Sequence, residues 1–156
     1  MAFYDFLTSH PDYVDNPRAV HRMNHRYSFL IQPYKAELKQ AKVLDLGAHD
    51  GRWSYALASE GATVHGVEGR QNLIDKFNLF PDCPFKRKVT LEQGDFFKVL
   101  ERMIYQGETY DIIAAFGIYY HITDHYRLLT MMHQLQPKLI IIDGTFTMAK
   151  GSSVTF

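Results

Sequence analysis

The segment VLDLGAHDG, residues 43–51, carries the strongest chemical signal in this sequence. An apolar run ends at Asp45 and Gly47, and a short polar turn with a second glycine, Gly51, then leads into a helical pattern. Glycine lets the chain turn tightly and lets the backbone approach a ligand closely. Because ligands of open α/β sheets bind at the carboxyl ends of strands, this turn is a predicted ligand site.

The glycine spacing separates this turn from two phosphate-binding loops. Gly47 and Gly51 are four positions apart, whereas the dinucleotide fingerprint is G-x-G-x-x-G. No Lys-Ser or Lys-Thr pair follows, as it does in a P-loop. Phosphate cradling is therefore disfavoured, and so is a nicotinamide-dependent oxidoreductase.

Acidic residues follow the next two strand patterns. Glu68 lies about 20 residues beyond the glycine turn, the place from which an acid accepts hydrogen bonds from a ribose diol. Asp95 follows the third strand pattern and is suited to accept a hydrogen bond from an adenine amino group, with Phe96 as an apolar face for the base. The alternative for Asp95 is a helix cap.

The elements that must position these residues alternate between strand and helix patterns. Apolar and β-branched runs bounded by Gly, Asp or Pro predict strands, and helical patterns lie between them. This alternation favours an α/β fold: a doubly wound, mostly parallel sheet of about five strands. The predicted strands are Lys42–Leu46, Ala62–Val67, Lys88–Gln93, Tyr110–Phe116 and Lys138–Asp143. The predicted helices are Arg52–Glu60, Asn72–Leu79, Phe97–Tyr105 and Asp124–Leu135, the last one capped by Thr123.

Residues 1–156 are predicted to form a single domain in two parts. Residues 1–41 are expected to be an N-terminal helical cap, and residues 42–146 the α/β core. Asn16 before Pro17 suits the N-cap and first position of a helix in the first part.

Three arginines on this N-terminal helix are spaced by four residues. Arg18, Arg22 and Arg26 therefore share one helix face. A solvated basic face is the favoured interpretation. The alternative is a cationic lid, completed by Tyr27, over a carboxylate or phosphate.

Taken together, the glycine turn, Glu68 and Asp95 resemble the class I, Rossmann-like S-adenosylmethionine-dependent methyltransferases. The resemblance covers roughly residues 38–146. It implies that Asp45, Gly47 and nearby backbone hold the methionine part of S-adenosyl-L-methionine. It also implies that Glu68 binds the ribose and that Asp95 lies at the adenine.

One member of the implied cofactor site, His49, departs from the family pattern, and another, Trp53, has an alternative role. His49 stands where the family more often has glycine, so its side chain can touch the cofactor or narrow its pocket. Core packing is the favoured role of Trp53, because tryptophan is usually mostly buried. The predicted cofactor-binding residues are Asp45, Gly47, Ala48, His49, Gly51, Trp53, Glu68, Gly69, Asp95, Phe96 and Phe116.

The predicted catalytic residues follow the fourth strand, where the transferred methyl group should point. Methyl transfer is an in-line displacement that needs proximity, orientation and, for a poor nucleophile, a base. His121 has a suitable intrinsic pKa for that base, and Tyr119 and Tyr120 are the other candidates. The alternatives are that His121 caps the next helix or packs in the core, and that the tyrosines wall the pocket.

The run FGIYYH, residues 116–121, indicates a second, weaker resemblance to a narrower group of enzymes. Together with LIIIDG in the fifth strand pattern, it is similar to the tRNA wobble-uridine carboxymethyltransferases and their small relatives. We do not predict the same substrate for this chain, because it is much shorter than those enzymes and has no obvious basic surface for tRNA.

Composition limits the other possibilities. Lys+Arg and Asp+Glu each number 17, which disfavours an overall electrostatic grip on nucleic acid or acidic lipid. One cysteine excludes an internal disulfide, and the eight scattered histidines predict no metal site. No stretch resembles a signal peptide or a membrane span. We expect a cytoplasmic protein without a membrane partner.

The family sheet usually has seven strands, but only residues 145–156 follow the fifth strand pattern here. We therefore expect either a reduced form that lacks the last two strands or a trimmed chain, with at most one strand begun by residues 153–156. An exposed apolar edge strand invites pairing, which predicts either a homodimer through the fifth strand or an edge covered in another way.

The predicted function is S-adenosylmethionine-dependent methyl transfer to an unknown acceptor, either a small molecule or an exposed nucleotide. The alternative is a non-catalytic cofactor-binding module that regulates a partner protein. Methylation of nucleic acid is supported only by the row of three arginines.

Overall fold

A five-stranded parallel sheet forms the centre of the computed structural model, which describes residues 2–144. The strands are β1 Lys42–Leu46, β2 Thr63–Glu68, β3 Val89–Gln93, β4 Ile112–Phe116 and β5 Leu139–Asp143. The α-helices are α1 Pro17–Leu30, α2 Lys35–Leu38, α3 Arg52–Ser59, α4 Gln71–Ile74, α5 Phe96–Tyr105 and α6 His125–Gln134. The predicted α/β class and five-stranded parallel sheet are confirmed.

The strand order is β3-β2-β1-β4-β5, so β1 lies between β2 and β4. The chain runs outward from β1 to β3 on one side and then crosses back to continue with β4 and β5 on the other. The turns after β1 and β4 therefore diverge at the carboxyl edge of the sheet. This arrangement opens a crevice at the point where ligands of doubly wound sheets bind.

Apolar side chains cover both faces of the sheet. Val43 of β1 faces a core shared with the N-terminal residues and α3, whereas Leu44 faces the core shared with α5 and α6. This alternation is the two-residue period of a strand. Tyr4 and Leu7 are fully buried in the first core, so the N-terminal part packs directly on the sheet.

Two of the predicted helices differ in detail. The segment predicted as helix Asn72–Leu79 is the short α4 followed by a 3-10 helix, Asp75–Leu79. The cap predicted at Thr123 is wrong, because Asp124 is the N-cap of α6 and accepts a hydrogen bond from the Arg127 backbone N–H at 3.0 Å.

Strand β5 pairs with β4 on one side and, among the described residues, with no strand on the other. Its side chains pack alternately against the two cores. The homodimer through this edge stays a prediction, and the strand considered at residues 153–156 lies outside the described residues. Within residues 2–144, none of the helices combines the length and apolar character needed to cross a bilayer.

Gly51 is required both by its backbone and by its surroundings. It has φ +78°, in the left-handed region, and it forms the N-cap of α3. A Cβ atom added there would lie 2.5 Å from Cδ2 of Phe77 and 3.0 Å from Cδ1 of Leu91. The glycine therefore lets the turn after β1 pack against the residues around α4 and β3.

We expect Gly51→Ala to destabilise the protein more than Gly107→Ala. Gly107 has a similar φ of +68°, but an added Cβ would meet nothing within 4 Å among the described residues. Backbone strain in the control Gly107→Ala should lower the free energy of unfolding by about 1–2 kcal/mol. In Gly51→Ala, overpacking should lower it by about 1–3 kcal/mol more. Urea unfolding of both variants measures the difference, and equal losses would contradict the packing role.

Candidate active site

A cavity of about 760 Å³ opens at the carboxyl edge of the sheet. Its volume lies within the range of about 300–1,000 Å³ that is usual for small-molecule sites. The turns after β1, β2, β3 and β4 all contribute to it, as does α1. The predicted residues that line it are Gly47, His49, Trp53, Glu68, Gly69, Asp95, Phe96, Phe116, Tyr120 and His121.

Four predicted site residues do not line this cavity. Ala48 is fully buried, and Gly51 serves packing. Tyr119 turns away and stacks on His125, with ring centroids 4.3 Å apart. Asp45 is buried beneath the turn, because its position in β1 directs its side chain to the face covered by α3.

Asp45 is 1% exposed, and only one of its two carboxyl oxygens accepts a hydrogen bond from the described residues. Ser54 Oγ donates to Oδ2 at 2.6 Å, while Oδ1 has no hydrogen-bond partner among the described residues. Burial raises the pKa of Asp45 to about 6, and the negative charge of Glu68 adds to this, whereas the hydrogen bonds from Ser54 oppose it. Asp45 thus lies below the site as a buried titratable group.

Backbone hydrogen bonds fix the glycine turn over the end of β2. The N–H groups of Gly47 and Ala48 both donate to the Val67 carbonyl oxygen at 2.9 Å. Gly47 has φ +73°, and a Cβ added there would lie 3.1 Å from Ile118 after β4. His49 also has a left-handed backbone, with φ +56°. This is a conformation that glycine adopts without strain.

Glu68 braces the same turn from the end of β2. Its nearly buried carboxylate accepts hydrogen bonds from the His49 N–H at 3.0 Å, the Arg70 N–H at 3.1 Å and Arg70 Nε at 2.9 Å. A carboxylate has about four acceptor positions. Because His49 takes only one position on Oε2, this oxygen keeps a position for a ligand hydroxyl. Arg70 is exposed and can release Oε1 at little cost.

Sequence reasoning missed the role of Asp50, which is fully buried beside the turn. Arg52 Nε and Nη2 donate to its two oxygens at 2.6 and 2.8 Å, and the Tyr13 hydroxyl donates at 2.8 Å. Burial alone would raise the pKa of Asp50, but the charge of Arg52 and the hydrogen bonds from Arg52 and Tyr13 hold it well below its ordinary value. The only sequence signal was an acid two residues before an arginine.

The same network orients His49 and Arg52 at the cavity wall. Arg52 Nη2 lies 2.8 Å from His49 Nδ1, and a guanidinium group can only donate. His49 Nδ1 is therefore an acceptor in this geometry and is not free to donate to Asp50, whose Oδ1 lies at 3.5 Å.

Trp53 packs in the core at the wall of the cavity, and its contact with the cofactor stays a prediction. It is 4% exposed and packs on Phe116 with ring centroids 5.3 Å apart, yet it also lines the cavity. The Arg26 guanidinium lies 4.6 Å from its ring centroid and forms an ion pair with Asp143. Tyr27 does not join a lid, because its hydroxyl bonds to Glu60 and its ring stacks on Phe3.

Asp95 forms a helix cap at the cavity, and its hydrogen bond to adenine stays a prediction. Its Oδ1 accepts hydrogen bonds from the N–H groups of Phe97 and Lys98 at 3.0 and 3.1 Å, so it caps α5. The residue also lines the cavity beside Phe96. A base bound here would have the Phe96 ring as an apolar contact.

The fold and the site define a class of protein that sequence comparison also identifies. Residues 19–142 match the methyltransferase domain family, and the chain belongs to that family. A tRNA U34 carboxymethyltransferase of Trichodesmium erythraeum (strain IMS101) is 30% identical over 116 residues, which make up 72% of this chain and 34% of that protein. The chain thus spans about a third of this relative. The predicted resemblance to methyltransferases and the weaker predicted resemblance to carboxymethyltransferases are both confirmed.

Solved structures share the fold at low sequence identity. A SAM-dependent methyltransferase from Agrobacterium tumefaciens has a TM-score of 0.61 at 22% identity, covering 80% of this chain and 45% of that one. The N-terminal domain of EvdMO1 with SAH bound has a TM-score of 0.58 at 22% identity, covering 74% and 48%. WbdD has a TM-score of 0.60 at 22% identity, covering 90% and 33%.

We expect the free energy of unfolding to depend on pH through Asp45. Its pKa is about 6 in the folded chain against an ordinary 3.8, so the folded state retains a proton that the unfolded state releases. Stability from this group is therefore complete below pH 3.8 and is lost as pH rises through 6. Between pH 4 and pH 7, the free energy of unfolding of the wild type should therefore fall by about 2–3 kcal/mol relative to that of Asp45→Asn. Urea unfolding at pH 4, 5, 6 and 7 measures this loss; a pH-independent difference would contradict it.

Proposed function

We propose that this chain binds S-adenosyl-L-methionine in the cavity and transfers its methyl group to an acceptor. The observation that carries the proposal is the convergence of the Gly47 turn, Glu68 and Phe96 on one cavity in a chain of the methyltransferase domain family. The names of the structural neighbours, which include a SAM-dependent methyltransferase and a domain with SAH bound, support this choice of cofactor.

The cavity residues fit the parts of this cofactor. Glu68 has a carboxylate position for the ribose diol, and we place the amino-acid end of the cofactor beside the Gly47 turn, which lines the same cavity. Val67, Phe96 and Ile118 supply apolar surface for the adenine ring. The aromatic ring of Tyr120, which also lines the cavity, suits a positively charged sulfonium, because ring quadrupoles attract cations.

When bound, the cofactor supplies an electrophilic methyl group on a positively charged sulfur. The residues of the chain then hold the acceptor in line with that methyl and exclude water. The acceptor would take the methyl group through a lone pair, and the sulfur would keep the electron pair of the broken carbon–sulfur bond. His121, which lines the cavity, takes the proton that an O–H or N–H acceptor loses.

The acceptor is proposed to be a small molecule or an exposed nucleotide. The relative named as a tRNA U34 carboxymethyltransferase supports the nucleotide, although the chain spans only 34% of that protein. A cofactor-binding module without catalysis is the outcome to expect if the protein binds S-adenosylhomocysteine but methylates nothing in a broad acceptor screen.

We expect Glu68→Gln to weaken S-adenosylhomocysteine binding about tenfold or more. An amide presents one acceptor oxygen instead of two and loses charge-assisted hydrogen bonds to the ribose. Glu101→Gln is the matched control, because Glu101 is exposed on α5 and lies outside the cavity. Isothermal titration calorimetry measures both affinities. Wild-type protein that fails to bind at millimolar ligand would refute the proposed function.

We expect His121→Asn to lower kcat by about 10²-fold or more with any acceptor that must lose a proton. Asparagine cannot take up the proton but keeps a polar side chain of similar size. Binding of S-adenosylhomocysteine should change less than twofold. His133→Asn, on the exposed end of α6, is the control. Unchanged turnover across pH 6–9 would show that His121 is not the base.

A further inference from the structure

A second cavity of about 430 Å³ adjoins the first. Arg26, Gly117 and Tyr120 line both cavities, so the two share a wall. Arg22 and Asp143 line only the second one, together with the backbone around Gly144. In the proposed function, this is the space beyond the cofactor, between α1 and the ends of β4 and β5.

The charges of this second cavity do not cancel among the described residues that line it. Arg22 and Arg26 contribute two positive charges and Asp143 one negative charge, which leaves one positive charge. Arg26 is engaged by Asp143 and by the face of Trp53. Arg22 lies one helical turn earlier on α1 and takes no part in that ion pair. The uncompensated charge is therefore that of Arg22.

The geometry favours an anion with oxygen atoms as ligand. A guanidinium group presents five N–H donors in a planar fork that matches carboxylate and phosphate groups. Asp143 engages one terminal nitrogen of Arg26 in the described structure, so other donors of this side chain remain for a ligand. The Trp53 stack holds the fork in place, and Tyr120 adds a half-exposed hydroxyl group.

We propose that the second cavity binds a carboxylate or phosphate group of the methyl acceptor, with Arg22 and Arg26 as its ligands. This inference rests on the proposed methyl transfer and adds a class of acceptor to it. The cofactor also carries a carboxylate, but we place its amino-acid end beside the Gly47 turn. Gly47, His49 and Arg52 line the first cavity and not the second. Because Arg22 lines only the second cavity, we assign the anion bound there to a second molecule.

The test is anion binding by Arg22→Gln and by Arg18→Gln, with the wild type as reference. Arg18 lies on the same face of α1 and lines neither cavity, so it controls for the loss of one positive charge from the helix. The probes are inorganic phosphate and acetate, each titrated with and without saturating S-adenosylhomocysteine. Fluorescence of Trp53 reports binding, since it is the single tryptophan and Arg26 lies over its ring.

We expect Arg22→Gln to weaken phosphate binding about tenfold or more, as loss of a charge-assisted contact should. Arg18→Gln should match the wild type, and Arg22→Lys should retain part of the affinity because it keeps the charge. Affinity for S-adenosylhomocysteine should change less than twofold in all three variants, and circular dichroism should show each of them folded.

Two outcomes would overturn the proposal. Unchanged phosphate binding in Arg22→Gln would show that the cavity does not hold an anion through this residue. A parallel loss of S-adenosylhomocysteine affinity would assign the anion to the carboxylate of the cofactor itself. A wild type that binds phosphate but not S-adenosylhomocysteine would refute the proposed function, while the titrations without cofactor would still decide the anion site.

Discussion

The buried carboxylate of Asp50 is the interaction on which the site depends. It is fully buried, and Tyr13 and Arg52 donate hydrogen bonds to it from the N-terminal segment and from α3. Removing one partner of a buried ion pair typically costs about 3–5 kcal/mol, because the remaining charge is left uncompensated. The Tyr4 hydroxyl adds a bond to the Arg52 carbonyl oxygen at 2.7 Å. The N-terminal segment and the turn after β1 are therefore held together as one unit.

The order of the strands then places this turn where chemistry can occur. Because β1 lies between β2 and β4, its turn meets Glu68 on one side and Ile118 on the other. The backbone bonds to Val67 shape the turn without any ligand. Such a preformed site avoids part of the ordering cost of binding. Arg26 of α1 lines this cavity on the side of β4 and β5, and Arg22 lines the adjoining second cavity.

Much of the site could be predicted because it follows from strand ends. Glu68 and Phe96 come directly at or after strands, and the carboxyl ends of parallel strands share one edge of a sheet. Asp45 does not line the cavity, because its position within β1 gives it the same face as Val43, which is covered by α3. Tyr119 does not line the cavity either, because the 3-10 helix at residues 119–121 turns its side chain towards His125.

The sequence alone determined the α/β class, the five strands and the turn with its two glycines, since these depend on local periodicity and on backbone conformations that few residues adopt. Only the tertiary structure decided which side chains share a cavity. Arg26 meets Asp143 across 117 positions of the chain, and Tyr13 meets Asp50 across 37. No local pattern encodes such pairs, because they form only when the sheet has set the distance between elements.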